Sequence, residues 1–122
     1  MFVALLAGGA CVAARLRRVE VVGESMRPTL EPGDRLLLSR TRRVRPGDLV
    51  AVLDPRSDRR TVVKRVAAVS AGGLTVLGDN PEASTDSRIY GTVRADALRG
   101  RVLYRYFPAL RRGRPGRRNG RW

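Results

Sequence analysis

Short apolar runs of strand length, separated by turn residues, fill most of the chain between residues 19 and 108. The runs are apolar or alternate between apolar and polar positions, and they lie at 36–38, 49–53, 61–69, 74–77 and 101–106. The turn sequences between them are Pro-Gly-Asp at 32–34 and 46–48, Gly-Gly at 72–73 and Gly-Asp-Asn-Pro at 78–81. This spacing predicts one mostly β domain over 19–108, folded as a sandwich or a partly closed barrel, with at most a helical turn at 96–99.

The two ends of the chain differ from this pattern. Residues 1–14 are apolar and a basic flank follows, so we predict a short N-terminal helix over 1–18 that is a candidate membrane anchor. A helix of that apolar length is about 21 Å long, against a hydrocarbon core of about 30 Å, so a full span is marginal. If it does span, the arginines place the following domain on the cytoplasmic side. The Arg- and Gly-rich residues 109–122 predict a disordered basic tail.

The composition excludes several kinds of active site. The chain has no histidine, and its one cysteine, Cys11, lies in the apolar N-terminal run. A Ser-His-Asp triad, a Cys-His nucleophile and a zinc site of the usual Cys and His type therefore cannot be built. We expect no metal and no cofactor.

The net charge of +14 is typical of proteins that bind nucleic acid or an anionic membrane surface. The arginines are scattered along the chain, and aromatic residues make up only 5% of it. No helix-turn-helix or aromatic RNA-binding platform is visible. We expect an anionic membrane surface as a candidate partner and no specific nucleic acid, while a basic nucleic-acid-binding module remains an alternative.

Every basic residue is an arginine except Lys64. Side chains alternate across a strand, so Lys64 shares a face with Val62 and Val66 in an apolar run that should be buried. Burial lowers the pKa of a lysine from its ordinary value of about 10.4, and a neutral amine can act as a general base, which a guanidinium cannot. The alternative is that Lys64 extends its amine to water, although Arg65 on the other face is the better candidate for that.

Two further segments carry polar residues that could complete a site. Ser25 follows a strand-like run and lies between Gly23 and Pro28, which constrain the backbone, although a serine there could simply cap a turn. The second segment is a long loop, 78–91, rich in small hydroxyl and carboxyl side chains, as solvated connections often are. Within it Asp86 and Arg88 could pair.

Together these segments resemble the signal peptidase I family. The matching motifs, in the order of the family, are S-M-x-P-T-L at 25–30, P-G-D-x-L-L at 32–37, P-G-D-L-V at 46–50, V-K-R-V at 63–66 and G-D-N-x-x-x-S-x-D-S-R-x-x-G at 78–91. The resemblance covers about 19–108 and implies a serine endopeptidase on a mostly β fold. Ser25 would be the nucleophile and Lys64 the general base, in agreement with a chain that lacks histidine.

The resemblance also implies roles for other residues. Ser84 matches the hydroxyl that orients the lysine amine, and the Ser25 N–H would donate to the oxyanion. Gly23 stands where members of the family often carry a hydroxyl as second oxyanion donor, so that donor is unidentified here. Structural support is expected from the remaining motif residues, which are Gly23, Met26, Pro28, Thr29, Asp79, Asn80, Asp86, Ser87 and Arg88.

The spacing and sequence of the later motifs indicate which group within the family the chain resembles most. Only 13 residues separate Lys64 from Gly78, which leaves no room for the extra β domain of many bacterial signal peptidases. The segments 78–91 and 100–108 look most like the nickel-type superoxide dismutase maturation proteases, which remove a short leader so that the new N-terminus can bind nickel. The implied partner is a precursor protein with an N-terminal leader, and the enzyme would be membrane-associated or cytoplasmic.

Three alternatives stay open. The first is a general signal peptidase I that cleaves exported preproteins, and the second is the nucleic-acid-binding module. The third is a relative of self-cleaving repressors, which also use Ser-Lys dyads. That reading needs a cleavable internal loop and a DNA-binding domain, and the sequence shows neither.

Overall fold

The computed structural model describes residues 16–116. Six strands account for most of them: Leu16–Glu20 (β1), Arg35–Ser39 (β2), Leu49–Asp54 (β3), Ser57–Ser70 (β4), Gly73–Leu77 (β5) and Leu98–Phe107 (β6). A single-turn α-helix, Ser87–Tyr90 (α1), and three 3-10 turns, Pro81–Ala83, Ala95–Ala97 and Ala109–Arg111, lie in the connections. The prediction of a mostly β domain is confirmed.

The strands form one sheet in the order β1-β2-β6-β3-β4-β5, and every neighbouring pair is antiparallel. The predicted sandwich or partly closed barrel is wrong for the described residues, because the sheet is single and open, with β1 and β5 at its edges. The reason is β6, which returns from the end of the domain and pairs with both β2 and β3. This long-range pairing merges the hairpins into one sheet, and the spacing of short runs along a sequence does not reveal it.

Apolar residues of the sheet and its loops pack in two clusters. The segment after β1 crosses one face of the sheet, and the first cluster there consists of Val21, Met26, Leu30, Leu36, Leu49 and Val63. The second consists of Val50, Val52, Val66, Leu74, Val76 and Val93. Neighbouring residues such as Leu49 and Val50 belong to different clusters, as the alternation of side chains along a strand requires. The crossing segment brings Ser25, next to Met26, close to β4.

The N-terminal boundary differs from the predicted one. Residues 1–15, which carry most of the predicted helix and candidate anchor, lie outside the described residues. Leu16 to Arg18 start β1 and pair with β2, so they belong to the sheet and not to a basic flank. In the part of the chain that is described, no helix is both long and apolar enough to cross a bilayer.

The prediction of a disordered tail over 109–122 is wrong for residues 109–116. Gly113 forms a bridge with Arg105 of β6, and the Arg111 guanidinium contacts the Asp34 carboxylate at 2.8 Å. Asp34 is buried and also pairs with Arg105. Arg-rich composition favours disorder only when the arginines lack a folded partner, and this partner is distant in the sequence. Residues 117–122 lie outside the described residues.

Candidate active site

Ser25 lies in the loop after β1, and the loop that follows β5 holds its peptide group. The Asn80 N–H donates to the Ser25 carbonyl oxygen at 2.8 Å, and the Asn80 side-chain amide donates to the Glu24 carbonyl oxygen at 3.1 Å. Gly23 has φ of 79°, a conformation that other residues rarely adopt, so the chain can turn sharply just before the serine. The position of Ser25 is therefore set by contacts across 55 residues of sequence, not by its own turn alone.

The residues after Ser25 form further contacts between the loop after β1 and the loop after β5. Met26 is buried, and its sulfur accepts the Asp79 N–H at 3.5 Å. The Thr29 hydroxyl donates to the Asp79 carboxylate at 2.6 Å. Pro28 is exposed and follows a cis peptide bond. The predicted support residues Met26, Thr29, Asp79 and Asn80 thus lie at one junction between the loops.

Lys64 lies in β4 opposite Val50 of β3, and only 4% of it is exposed. Its Nζ donates to the Ser84 hydroxyl at 3.0 Å. Burial lowers the pKa of Lys64, and the nearby charges of Arg56 and Arg60 act in the same direction. The carboxylates of Asp86 and Asp54 oppose the shift without reversing it. The prediction that Lys64 is buried is confirmed.

Ser84 connects Lys64 to a buried carboxylate. The Ser84 hydroxyl donates to Asp86 at 2.7 Å, so its lone pairs remain to accept the Lys64 N–H. Asp86 pairs with Arg88 through two contacts, at 2.6 and 3.0 Å, which confirms the predicted pairing of these two residues. Burial by itself would raise the pKa of Asp86, but hydrogen bonds from Arg88, the Gly78 N–H and Ser84 outweigh it and hold this pKa well below its usual range.

The short helix α1 fixes this network to the sheet. The Asp86 carboxylate caps α1 by accepting the Arg88 N–H at 3.1 Å. The Ser87 hydroxyl accepts the Val76 N–H of β5 at 2.9 Å. The predicted support residues Asp86, Ser87 and Arg88 therefore hold the segment that carries Ser84 against β5.

The two predicted catalytic residues line one pocket. Its volume is about 160 Å³, and its walls come from residues 20–26, at and after the end of β1, and from residues 60–64 of β4, with Arg56, Ala83 and Thr85 completing the lining. Gly78 lies where the loops meet: a Cβ built on it would be 2.1 Å from the Ser84 hydroxyl oxygen and 2.7 Å from the Ser25 carbonyl oxygen. Ser25, Ser84 and Lys64 are thus brought into one site. Only a glycine fits at position 78, between the Ser84 side chain and the Ser25 backbone.

Gly78→Ala is expected to lower kcat by at least about tenfold, because the added methyl group must displace the Ser84 hydroxyl or the Ser25 backbone, and small displacements of reacting groups are costly. Steady-state kinetics on a leader-containing precursor measures this. Gly72→Ala is the matched control, since a Cβ there meets nothing closer than 4.0 Å. Equal activity of the two variants would show that the contact at Gly78 does not position the site.

The structure also corrects the prediction that Arg65 extends to solvent. Arg65 instead has a structural role that the sequence analysis missed. Arg65 does not reach solvent: only 1% of it is exposed, and its guanidinium contacts the Asp79 carboxylate at 2.7 and 3.3 Å. A further N–H donates to the Gly47 carbonyl oxygen at 3.0 Å. The signal that could have indicated this burial is the apolar run on both sides of Arg65. Asp79, which also accepts from Thr29, is therefore held at both of its oxygens.

Within residues 16–116, no group of three or more His, Cys, Asp or Glu side chains is placed to hold a metal ion. The Ser25 hydroxyl and the desolvated Lys64 amine lie in a pocket whose lining also includes four charged residues, Glu20, Glu24, Arg56 and Arg60. A hydroxyl with an amine as its base is the pair used by serine peptidases whose base is a lysine.

Comparison with known proteins identifies the family of the chain. A family model described as signal peptidase, peptidase S26, matches residues 1–72 and 67–107. The chain belongs to this family. It is a serine-type peptidase of the kind that removes leader peptides.

Among curated proteins, the chain is similar to subunits of mitochondrial proteases. It is 31% identical over 113 residues to mitochondrial ATP-independent inner membrane protease subunit 1b of Arabidopsis thaliana, covering 70% of this chain and 67% of that protein. For subunit 1a of the same plant the identity is 33% over 115 residues, covering 72% and 68%. Mitochondrial inner membrane protease subunit 1 of Mus musculus is 27% identical over 110 residues, covering 70% and 66%.

Proposed function

We propose that Ser25 is the nucleophile and Lys64 the general base of an endopeptidase that removes an N-terminal leader from a precursor protein. The observation that carries the proposal is the environment of the Lys64 amine. It is buried, it bonds to a hydroxyl instead of a carboxylate, and it lines the same pocket as Ser25. A lysine in such a place is held toward its neutral form, which is the form that accepts a proton.

In the acylation step the neutral Lys64 amine takes the proton from the Ser25 hydroxyl, and the Ser25 oxygen attacks the carbonyl carbon of the scissile peptide bond. The negative charge that develops on the carbonyl oxygen is stabilised by the Ser25 N–H. The Lys64 ammonium then gives its proton to the leaving amine as the peptide bond breaks. In the second half of the reaction Lys64 takes a proton from water, which attacks the acyl carbon and breaks its ester bond to Ser25. The Lys64 ammonium returns the proton to the Ser25 oxygen, and the leader is released.

Ser84 is proposed to orient the amine. A neutral amine has two N–H groups and one lone pair, and one N–H is directed to the Ser84 oxygen. Because Asp86 takes the only proton of Ser84, this hydroxyl faces Lys64 as an acceptor and does not compete for the lone pair. The lone pair is then left for the proton of Ser25.

The remaining motif residues are proposed to act as supports. On the Ser25 side these are Gly23, Met26, Pro28 and Thr29, and on the Ser84 side they are Asp79, Asn80, Asp86, Ser87 and Arg88. The hydrogen bonds between the two loops support this assignment, since each loop would lose its partner if the other moved. Substrate contact is not required of any of them.

We further propose the precursor of a nickel-type superoxide dismutase as the substrate. The support is the resemblance of residues 78–91 and 100–108 to the maturation proteases of that enzyme, together with the 13-residue interval between Lys64 and Gly78. That interval is filled by the rest of β4 and by β5, with no inserted domain. The nickel would belong to the processed substrate.

A second candidate is the processing of precursors at a membrane, as by a general signal peptidase. The similarity to proteases named for the mitochondrial inner membrane favours it, as does the apolar segment 1–14. The two candidates share the same catalytic residues and differ in the leader that enters the pocket.

The experiment that separates them uses the purified full chain with two precursors, a nickel superoxide dismutase precursor and an exported preprotein with small residues before its cleavage site. Mass spectrometry of the new N-termini reads out cleavage, and Ser25→Ala is the control for contaminating proteases. Cleavage of the first precursor alone supports the maturation protease, and cleavage of the second alone supports the general peptidase. Cleavage of either precursor by Ser25→Ala at the wild-type rate would contradict the proposed nucleophile.

A further inference from the structure

A second pocket, away from the candidate active site, is lined mainly by arginines. Its volume is about 170 Å³, and the lining residues are Arg17, Arg40, Thr41, Arg42, Leu98 and Arg99. Four of the six lining residues carry a positive charge, and none of them carries a negative charge. Like charges in one concave site repel each other, so the arrangement favours an anion as its ligand.

The fold brings these arginines together at one end of the sheet. Leu16, the first residue of β1, lies opposite Ser39, the last residue of β2, and Ser39 in turn lies opposite Arg101 of β6. Gly100 permits the close approach of β6 to β2, since a Cβ there would lie 2.7 Å from the Ser39 carbonyl oxygen. The start of β1, the turn after β2 and the start of β6 therefore meet.

The turn after β2 is held by its own hydrogen bonds. The Thr41 N–H donates to the Ser39 carbonyl oxygen at 2.8 Å, and the Arg43 N–H donates to the Thr41 hydroxyl oxygen at 3.1 Å. These bonds fix the backbone between Arg40 and Arg42, both of which line the pocket. The cationic side chains thus project from an ordered turn.

The charges in the pocket are not neutralised from within the domain. Among residues 16–116, none of Arg17, Arg40 and Arg42 forms a salt bridge. The Arg99 guanidinium donates only to backbone carbonyl oxygens, those of Asp96 at 3.1 Å and Leu98 at 3.4 Å. Guanidinium groups match the oxygens of a phosphate with paired hydrogen bonds, so a phosphate group is the ligand chemistry that this pocket fits.

We propose that this arginine pocket binds the phosphate headgroups of an anionic phospholipid membrane. Arg17 of the pocket is the second residue of β1, and residues 1–14, which precede β1 in the sequence, are apolar. A short apolar segment combined with a basic patch supplies the two signals that together give stable attachment to a membrane surface. Nucleic acid fits less well, because no aromatic residue lines the pocket on which a base could stack.

The geometry separates membrane binding from catalysis. The arginine pocket and the pocket that holds Ser25 and Lys64 have no lining residue in common. Headgroups bound to the arginines would therefore leave the catalytic pocket open to substrate. This inference does not depend on which precursor is cleaved.

The test measures how the full chain sediments with vesicles of phosphatidylcholine, with and without phosphatidylglycerol. The triple variant Arg17→Gln, Arg40→Gln, Arg42→Gln is expected to lose about fivefold in affinity for the anionic vesicles per arginine, and about a hundredfold in all. The matched control removes the same charge elsewhere, with Arg59→Gln, Arg112→Gln and Arg114→Gln, and is expected to lose less than tenfold. Binding to phosphatidylcholine alone should be equal in all three proteins.

Any of four results would overturn the proposal. Equal losses in the two triple variants would show that net charge acts without a site. Displacement from vesicles by inorganic phosphate would indicate a site for the free ion. Tighter, pocket-dependent binding of a single-stranded oligonucleotide would indicate nucleic acid. A variant with lysine at the same three positions controls for misfolding of the Gln variant, because it keeps the positive charge. It is expected to retain most of the affinity for anionic vesicles. A loss of affinity equal to that of the Gln variant would contradict headgroup binding.

Discussion

Lys64→Arg is expected to lower kcat by about 10²- to 10⁴-fold, because it keeps the positive charge but removes the general base. The guanidinium cannot give up its proton at any working pH, so the Ser25 hydroxyl would have no partner to deprotonate it. Single-turnover cleavage of a leader-containing precursor measures the chemical step without interference from product release. KM should change far less than kcat, since the substrate is bound by the rest of the pocket.

The controls for this variant are two serine substitutions. Ser25→Ala should reduce cleavage to the background rate, whereas Ser70→Ala should leave it unchanged, because Ser70 lies at the turn between β4 and β5 and bonds only to the Gly73 carbonyl oxygen. Cleavage by Lys64→Arg within tenfold of the wild-type rate would contradict the assignment of Lys64 as base.

Asp79→Ala is expected to destabilise the domain by about 3–5 kcal/mol, because it leaves the Arg65 guanidinium buried without its carboxylate. Both side chains of the pair are at most 1% exposed, so water cannot replace the lost partner without opening the structure. The Thr29 hydroxyl also loses its acceptor. Urea denaturation followed by circular dichroism gives the free energy of unfolding.

The matched control is Asp96→Ala, which removes the carboxylate from the exposed pair with Arg94 and should cost less than about 1 kcal/mol. A double variant with apolar residues, Arg65→Met and Asp79→Leu, should recover most of the stability, since buried ion pairs are often replaceable by apolar packing. A similar loss in Asp79→Ala and Asp96→Ala would contradict the account of a buried pair.

The positions of the strands could be predicted from the sequence because local patterns determine them. The runs at 49–53 and 61–69 lie within β3 and β4, where alternation and turn residues predict the elements, although β4 begins four residues before the predicted run, at Ser57. The arrangement of strands into one sheet could not be predicted, because it depends on β6 pairing with β2 and β3 over long separations. The start of β1 was missed because its first residues, Leu16 to Arg18, resemble the basic flank of an apolar segment.

In the candidate site, too, some features follow from the local sequence and others depend on residues that are distant in the sequence. The burial of Lys64 and the Asp86–Arg88 pair follow from local pattern, since an apolar strand surrounds the lysine and the pair is two residues apart. The solvent exposure expected for Arg65 was wrong, because its partner Asp79 comes from another segment. The roles of Ser25, Lys64 and Ser84 came from the resemblance to a family and remain predictions.

The pH dependence of activity follows from the direction of the shift at Lys64. Burial lowers its pKa, so the neutral base becomes available at a lower pH than for an ordinary lysine, and activity should rise as pH increases through that pKa. Burial raises the pKa of nearby Tyr90 to about 12, with the charges of Asp54 and Asp86 adding to it, so Tyr90 stays protonated over the range. The rising limb can then be assigned to the lysine.

The most direct test of the central claim is an NMR titration of the Lys64 amine. Lysine labelled with ¹³C at Cε gives a single protein resonance, because the chain contains no other lysine. This resonance is expected to titrate at a pH well below the ordinary lysine value of about 10.4, and the same transition is expected to govern kcat/KM. A resonance that titrates at the ordinary value, in a folded and active protein, would contradict the assignment of Lys64 as the general base.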